Sequence, residues 1–392
     1  MTAYLQRKGY EGVALAVPVT VPYTRYSTHG AHWFLGQAVR GLLAGSGLAK
    51  AQIDGLTVSS FSLAPDTAVG VTQHLGLSPR WLDHIPTGGA SGVMALRRAA
   101  RAVQCGDADV VACVAADTNH VDSFRQTLGA FSDFARDASY PYGAGGPNSM
   151  FAFITAHYMR TYGAQREDFG RIAVAQRSNA LHNPGALLRK PLTLDDYMAA
   201  RPISDPIHLF DCVMPCAGAE AFLVMAPERA RGLGLPHVLL RGAIERHNAY
   251  ADDPVMLRGG WAMDRSDLYA QAGIGPQGID LLQTYDDYPV IAMMQMEDLG
   301  FCGKGEGPAF VRSHDLTVTG DFPHNTGGGQ LSCGQAGAAG GFLGLTETLR
   351  QLTGQAGGRS VPGARTALVG GFGMVTYDRC LCTGAVILES ST

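Results

Sequence analysis

The sequence has 392 residues, of which 46% are hydrophobic and only 16% are charged, and its formal net charge is −4 at pH 7. This composition predicts a compact protein with little solvated charge, and so a substantial subunit interface. It argues against nucleic-acid binding, which needs a clustered basic face. It also argues against a membrane protein, since no apolar run approaches the ~18 residues of a membrane span.

The N-terminal stretch and the cysteines indicate the cellular compartment in which the protein is expected. The start, MTAYLQRKGYEG, lacks the apolar segment of a signal peptide. The eight cysteines are widely spread, and neither of the closest pairs, 212/216 and 380/382, has the spacing of a zinc ribbon. We therefore expect a soluble, reduced, cytoplasmic protein without a metal site.

The first half of the chain shows a strand–helix pattern. Residues 11–22 predict a strand, 32–43 a helix and 53–61 a second strand. A glycine-rich turn at 85–92 then leads into a helix at 93–104. The strand that follows, at 108–116, is apolar throughout, as expected for a strand covered on both faces.

The second half repeats this order. After a predicted strand at 237–245, a glycine-rich loop at 324–341 leads into a helix at 342–352, with strands at 366–374 and 380–389. Two copies of one pattern indicate an internally duplicated α/β fold. The polar, turn-rich stretch at about 118–206 lacks the alternation and is predicted to be an inserted loop domain.

The glycine loop at 324–341 allows two interpretations. Dense glycine permits close approach of one backbone to another, which would indicate tight helix–helix packing. A helix that begins at such a loop also offers unpaired N–H groups to an oxyanion, a phosphate or a thioester oxygen. The residues alone leave both interpretations open.

Polar residues follow the predicted strand at 279–282. They are Tyr285, Asp286, Asp287 and Tyr288, ahead of a methionine-rich segment that suits a buried helix. Because open α/β sheets bind ligands at the carboxyl ends of their strands, this segment is a candidate site.

Five segments in the same order resemble the thiolase superfamily, most closely its sterol-carrier-protein-type, lipid-transfer-like branch. They are GGASG (88–92), ALHNPGA (180–186), DCVMPCAGAEA (211–221), YDDYPVIAMMQMEDLGFCGKGEG (285–307) and NTGGGQLSCGQAGAAGG (325–341). The resemblance implies a five-layer αβαβα fold with two similar halves, 1–240 and 241–392, and a loop domain at about 118–206. It also implies a homodimer or a tetramer.

Three departures from the thiolase pattern bear on the activity. Gly89 stands where thiolases carry their nucleophilic cysteine, and Gln335 stands where they carry a catalytic histidine. Leu368 is the nearest match to their C-terminal catalytic cysteine. Glycine, glutamine and leucine cannot replace that acid–base and nucleophilic set, so Claisen condensation and thiolysis are not expected.

The chain also resembles the branch members that cleave steroid side chains by a retro-aldol reaction, which needs no acyl-enzyme. Those lyases share a Tyr-Asp pair at residues 285–286. The resemblance implies that Tyr285, with a lowered pKa, takes the hydroxyl proton of a 3-hydroxyacyl-CoA, while Asp286 orients it or binds a neighbouring loop. The Gln335 amide and loop N–H groups would hold the enolate oxygen. The loop glycines expected at this coenzyme A site are Gly327, Gly328, Gly329 and Gly334.

Two alternatives to the lyase remain. Cys333 stands where those lyases carry a second tyrosine, so it is a candidate acid–base group, a displaced nucleophile for acyl transfer, or an inert buried thiol. A non-catalytic subunit is the other alternative. The lyases commonly act with a small partner that combines a zinc ribbon and an OB-type barrel. Coenzyme A is expected as part of the substrate, without a tightly bound cofactor.

Overall fold

One nine-stranded mixed sheet runs through the computed structural model, which describes residues 8–63, 67–119 and 136–392. The strands are β1 (Ala14–Thr24), β2 (Gly55–Ser59), β3 (Trp81–His84), β4 (Val110–Asp117), β5 (Pro202–Ser204), β6 (Ile207–His208), β7 (Ala217–Met225), β8 (His237–His247), β9 (Leu281–Gln283), β10 (Thr366–Val375) and β11 (Cys380–Ser390). The order in the sheet is β3-β2-β4-β7-β1-β8-β11-β10-β9, and β5 pairs with β6 separately.

Helices of very different length accompany these strands. They are α1 (Ala31–Ser46), α2 (Ala68–Leu75), α3 (Ser91–Cys105), α4 (Arg136–Ser139), α5 (Gly146–Tyr162), α6 (Arg166–Leu181), α7 (Leu194–Met198), α8 (Pro227–Gly232), α9 (Trp261–Ala272), α10 (Pro289–Asp298), α11 (Gly307–Ser313), α12 (Gly329–Cys333) and α13 (Gly340–Leu352). In the part of the chain that the structure describes, no helix has both the length and the hydropathy to cross a membrane.

The sheet is duplicated about its centre. Strands β1 and β8 meet there in antiparallel pairing. From β1 outward, β7 is antiparallel to β1, β4 is antiparallel to β7, and β2 is parallel to β4. From β8 outward, β11, β10 and β9 follow with the same sequence of directions. The predicted duplicated fold is therefore confirmed.

Two helices form a central layer between the halves. Helix α3 contacts β2, β4 and β7 of one half and β8, β10 and β11 of the other, and α13 likewise contacts both. Alternate residues of β4 point to opposite faces, as the pleat requires: Val110 and Ala112 pack with α1, whereas Val111 and Cys113 pack with α3. With α9 on β8 and β11, the layers follow the predicted αβαβα order.

Glycine allows α3 and α13 to meet backbone to backbone. A Cβ atom added at Gly92 would overlap the carbonyl oxygen of Gly341, and one added at Gly341 would crowd the backbone of Gly89. Close packing of two helix N-termini therefore explains why the glycine-rich loop has glycine at its C-terminal end. The same contact fixes the turn at Gly89 beside the central helices.

The inserted segment is more regular than predicted. Within it, α5 and α6 are long helices, and Phe151 and Ile172 lie in the same apolar core as Met293 of α10. The turn-like sequence Gly-Gly-Pro marks the start of α5, because proline is well tolerated in the first turn of a helix. Residues 120–135 of this segment lie outside the described residues.

Candidate active site

A cavity of about 530 Å³, here called the main cavity, lies at the turn before α3. Gly88 and Gly89 of that turn line it, and so do aromatic side chains from four other segments. These aromatic residues are Phe61, Tyr140, Phe151, Tyr285, Tyr288 and Phe372. Its polar wall includes Asp117, Asn148, Asp287 and Gln335. Among the described residues that line it there is no lysine, arginine or histidine.

Tyr285 follows the end of β9 and is held by its backbone. Gln295 of α10 donates from Nε2 to the Tyr285 carbonyl at 2.7 Å and accepts from the Tyr285 N–H at 3.1 Å. The Tyr285 ring stacks on Phe372, with the ring centroids 6.2 Å apart. A Cβ atom added at Gly89 would overlap that ring. The phenol therefore occupies the space into which a side chain at residue 89 would project.

The Tyr285 hydroxyl is hydrogen-bonded to Gln335. Nε2 of Gln335 donates to the phenol oxygen at 3.0 Å. Burial and, next, the negative charge of Asp287 raise the pKa of Tyr285 well above its usual value, against the effect of the Gln335 bond. The expected lowering of this pKa is therefore wrong, and Tyr285 is a neutral hydrogen-bond donor.

Asp286 binds the neighbouring loop. Its carboxylate accepts from the backbone N–H groups of Gln330 at 2.9 Å and Leu331 at 3.3 Å, in the first turn of α12. A Cβ atom at Gly329 would overlap Asp286, so the glycine makes this approach feasible. Burial raises the pKa of Asp286 to about 6, although these N–H groups lower it. The loop N–H groups expected to hold an enolate are used here by a carboxylate of the protein.

The environment of Asp287 differs from that of Asp286. Asp287 is 8% exposed, it lines the main cavity, and its Oδ1 atom has no hydrogen-bond partner among the described residues. Burial and, next, the charge of Asp286 raise its pKa well above the usual value. Its place in the polar cluster after β9 is evident from the sequence, but its role is not. Which of the two adjacent carboxyls faces the cavity depends on the backbone path, which the residue types do not reveal.

Cys333 lies outside the main cavity. It lines a second cavity of about 270 Å³, together with Gly327 and Gly329, and Tyr285 contributes to the walls of both cavities. The Cys333 thiol donates to the carbonyl of Gly327 at 3.0 Å. Burial raises its pKa far above the usual value. Cys333 is a protonated, buried thiol outside the main cavity.

The remaining loop glycines pack against protein. A Cβ atom at Gly328 would overlap Ala180, and one at Gly334 would crowd Cys216. Their N–H groups donate to the carbonyls of Asn325 and Gln330. None of the four predicted glycines lines the main cavity.

Other polar and candidate residues are satisfied within the fold. Asp117 lines the main cavity but accepts from the backbone N–H groups of Phe61 and Ala338 and from serine hydroxyls. Leu368 is fully buried in β10 and lines neither cavity. In the described ranges no group of three or more His, Cys, Asp or Glu side chains could hold a metal ion.

Known proteins resemble this chain in sequence and in structure. Residues 242–384 match the family described as "Thiolase C-terminal domain-like". The chain is 33% identical to a steroid side-chain-cleaving aldolase of Thermomonospora curvata over 81% of this chain and 84% of that protein. It is 32% identical to the 17-hydroxy-3-oxo-4-pregnene-20-carboxyl-CoA lyase of Mycobacterium tuberculosis, over 81% of this chain and 85% of the lyase. The solved structure of an Ltp2–ChsH2 aldolase superposes with a TM-score of 0.82 at 28% identity, covering 97% of this chain and 98% of that one.

Proposed function

This chain belongs to the thiolase superfamily, in the branch that includes the steroid side-chain-cleaving aldolases, and we propose that it cleaves a 3-hydroxyacyl-CoA thioester by a retro-aldol reaction. The bond between the α- and β-carbons breaks. The β-carbon becomes a ketone or aldehyde, and the other product is a shorter acyl-CoA. Coenzyme A is part of the substrate in this reaction.

The observation that carries the proposal is the Tyr285 phenol in the space beside Gly89. A thiolase-type reaction needs a nucleophile at that place, and glycine supplies none. A retro-aldol reaction instead needs donors for the oxygen of the developing thioester enolate. The neutral phenol, bonded to the Gln335 amide at 3.0 Å, supplies such a donor without a covalent intermediate.

The Gln335 amide helps to direct the Tyr285 proton. Because Gln335 donates to the phenol oxygen, the phenol's own hydrogen is left for another acceptor. Nε2 of Gln335 carries a second N–H, and Gln335 itself lines the main cavity. Tyr285 and Gln335 together form a donor pair for the thioester oxygen. Asp286 supports them indirectly by holding the loop that leads to Gln335.

Acyl transfer through Cys333 has less support. A thiol attacks as the thiolate, whereas burial keeps Cys333 protonated and its hydrogen is donated to the Gly327 carbonyl. It also lines the second cavity, separate from Gly89. A non-catalytic subunit would have no use for a cavity with an unpaired carboxyl in its wall.

The assembly and setting form part of the proposal. An Ltp2–ChsH2 aldolase carries a second component in its name, which supports a small zinc-ribbon and OB-fold partner for this chain. The low charge content favours a homodimer or tetramer. All eight cysteines are free thiols, which suits the reducing cytoplasm.

A panel of 3-hydroxyacyl-CoA thioesters tests the reaction. The purified protein, with and without the candidate partner, is incubated with straight-chain, aromatic and polycyclic members. Mass spectrometry then follows the shorter acyl-CoA and the released carbonyl compound. We expect both products in equal amounts and no acyl adduct on the intact protein. An adduct on Cys333 would establish acyl transfer instead, and no turnover of any member would favour a non-catalytic subunit.

A further inference from the structure

We propose that Asp287 is the group that accepts the proton of the substrate's 3-hydroxyl. This assignment rests on the proposed lyase function and adds the acid–base residue that Tyr285 and Gln335 do not supply. It depends on the position of Asp287 at the main cavity, on the unpaired oxygen of its carboxyl, and on the titratable groups that surround it.

The position of Asp287 sets it apart from its neighbour. Both aspartates follow β9, but Asp286 uses both carboxylate oxygens on the backbone of α12. Asp287 lines the main cavity at 8% exposure, and its buried Oδ1 atom has no partner among the residues that the structure describes. A buried polar atom without a partner costs about 1–3 kcal/mol, so this carboxyl in the cavity wall has hydrogen-bonding capacity left for a bound substrate.

The surroundings make this carboxyl a base. The titratable groups that interact with it are Tyr285, Asp286 and Tyr288 on its own segment, with Cys212 and Cys380 from two others. None of these is a cation that would hold the carboxylate in its charged form. Burial raises the pKa of Asp287, so its carboxylate binds a proton more strongly than the carboxylate of an exposed aspartate does.

The same environment raises the pKa of Tyr285 as well. That pKa starts near 10 and rises further, so the phenol keeps its proton at neutral pH. Because an aspartate starts from a much lower pKa than a tyrosine, Asp287 is the more acidic group of the two and the one that can supply a carboxylate as proton acceptor. The two groups can therefore take the two roles of an acid–base reaction.

The step balances within the substrate and one carboxyl group. The Asp287 carboxylate takes the hydroxyl proton as the bond between the α- and β-carbons breaks. The oxygen left behind forms the carbonyl, and the electron pair of the broken bond moves into the thioester as an enolate, held by Tyr285. The Asp287 carboxylic acid then returns its proton to the α-carbon, which regenerates the carboxylate.

The test compares Asp287→Asn with the wild type and with Asp107→Asn, a matched change at an exposed aspartate remote from the cavity. The kcat and KM for a thioester that the wild type cleaves are measured between pH 5 and 9. We expect Asp287→Asn to lower kcat about 10²–10⁴-fold, to leave KM within about twofold, and to remove the acidic limb of the pH profile. Asp107→Asn keeps the wild-type profile.

Two further measurements separate a base from a structural residue. In Asp287→Ala, added formate restores part of the activity, because a small carboxylate can enter the vacated space. In D₂O, the wild type exchanges the α-hydrogens of the product acyl-CoA and Asp287→Asn does not.

Wild-type kcat or an unchanged acidic limb in Asp287→Asn would overturn the assignment while leaving the lyase intact. The absence of formate rescue in a folded Asp287→Ala protein would also overturn it. A wild type that cleaves no thioester would instead remove the proposed function and this assignment with it.

Discussion

The aromatic ring of Tyr285 fills the space that any side chain on Gly89 would need. The two residues lie far apart in the chain, one in the turn before α3 and the other after β9. Their complementarity links the absence of a nucleophile at residue 89 to the presence of the phenol. Loss of the nucleophile at residue 89 makes room for the phenol, and the phenol leaves no room for a nucleophile.

Gly89→Ala is expected to destabilise the protein by about 1–3 kcal/mol, as overpacking of a filled interior does. The free energy of unfolding is measured by urea denaturation. Gly232→Ala is the matched control, because a Cβ atom there meets nothing within 4 Å. Combining Gly89→Ala with Tyr285→Ala should recover only part of the loss, since the ring is one obstacle and the carbonyl oxygen of Phe372 is another. Additive effects of the two substitutions would contradict this contact.

Tyr285→Phe is expected to remove a donor to the enolate and to lower kcat about 10²–10³-fold. The ring packing on Phe372 is kept, so stability should change by no more than about 1.5 kcal/mol, the typical contribution of one hydrogen bond. Steady-state kinetics and thermal melting measure the two effects. Tyr142→Phe serves as control, since that tyrosine is exposed. Full activity of Tyr285→Phe would exclude the phenol from the reaction.

Cys333 is expected to resist alkylation in the folded protein. Its thiol is buried and its pKa is raised, so almost no thiolate is present at pH 8. Cys105 is exposed and provides an internal control in the same sample. Peptide mapping after brief iodoacetamide treatment should find Cys105 modified and Cys333 intact. Equal modification of both would mean that the Cys333 thiol is accessible and ionised.

Glu220 is expected to make stability fall as the pH rises. Burial raises its pKa from 4.5 to about 7, so the folded protein holds a proton that the unfolded chain has already lost. The contribution is complete below pH 4.5 and disappears as the pH passes 7, a change of about 3 kcal/mol for a shift of this size. Glu220→Gln should reduce the difference in unfolding free energy between pH 5 and pH 8.

Glu228→Gln is the control for this titration, because Glu228 lies at the surface and pairs with exposed Arg231. Its pH dependence should follow the wild type. A Glu220→Gln variant with the wild-type slope would show that another group carries the effect.

The sequence predicts the fold better than it predicts the site. Apolar patterns located α3, β4, β10 and β11 to within a few residues, because β4 is buried along its whole length and the other three bury most of their residues. The order of motifs identified the superfamily. The helices of the inserted segment were missed, since glycine and proline before α5 resemble a turn whether or not a helix follows.

The site depends on relationships that no local pattern contains. Tyr285 and Gln335 were singled out, and they do meet, yet the direction of the Tyr285 pKa follows from burial and from Asp287. Cys333 was singled out by its place in a motif, but the fold turns it toward a second cavity. Only the backbone path determines that Asp286 binds α12 while Asp287 faces the main cavity.

The pairing of β1 has a consequence for synthesis on the ribosome. Strand β1 forms near the start of the chain, but both of its partners, β7 and β8, come much later, and Thr20 pairs with Glu220 across 200 residues. At about 5–20 residues per second, β1 waits roughly 10–40 s before either neighbour emerges. During that time an apolar strand with two open edges must be kept from other nascent chains. Protection by chaperones during translation should therefore influence the yield of this protein more strongly than the stability of the folded protein influences that yield.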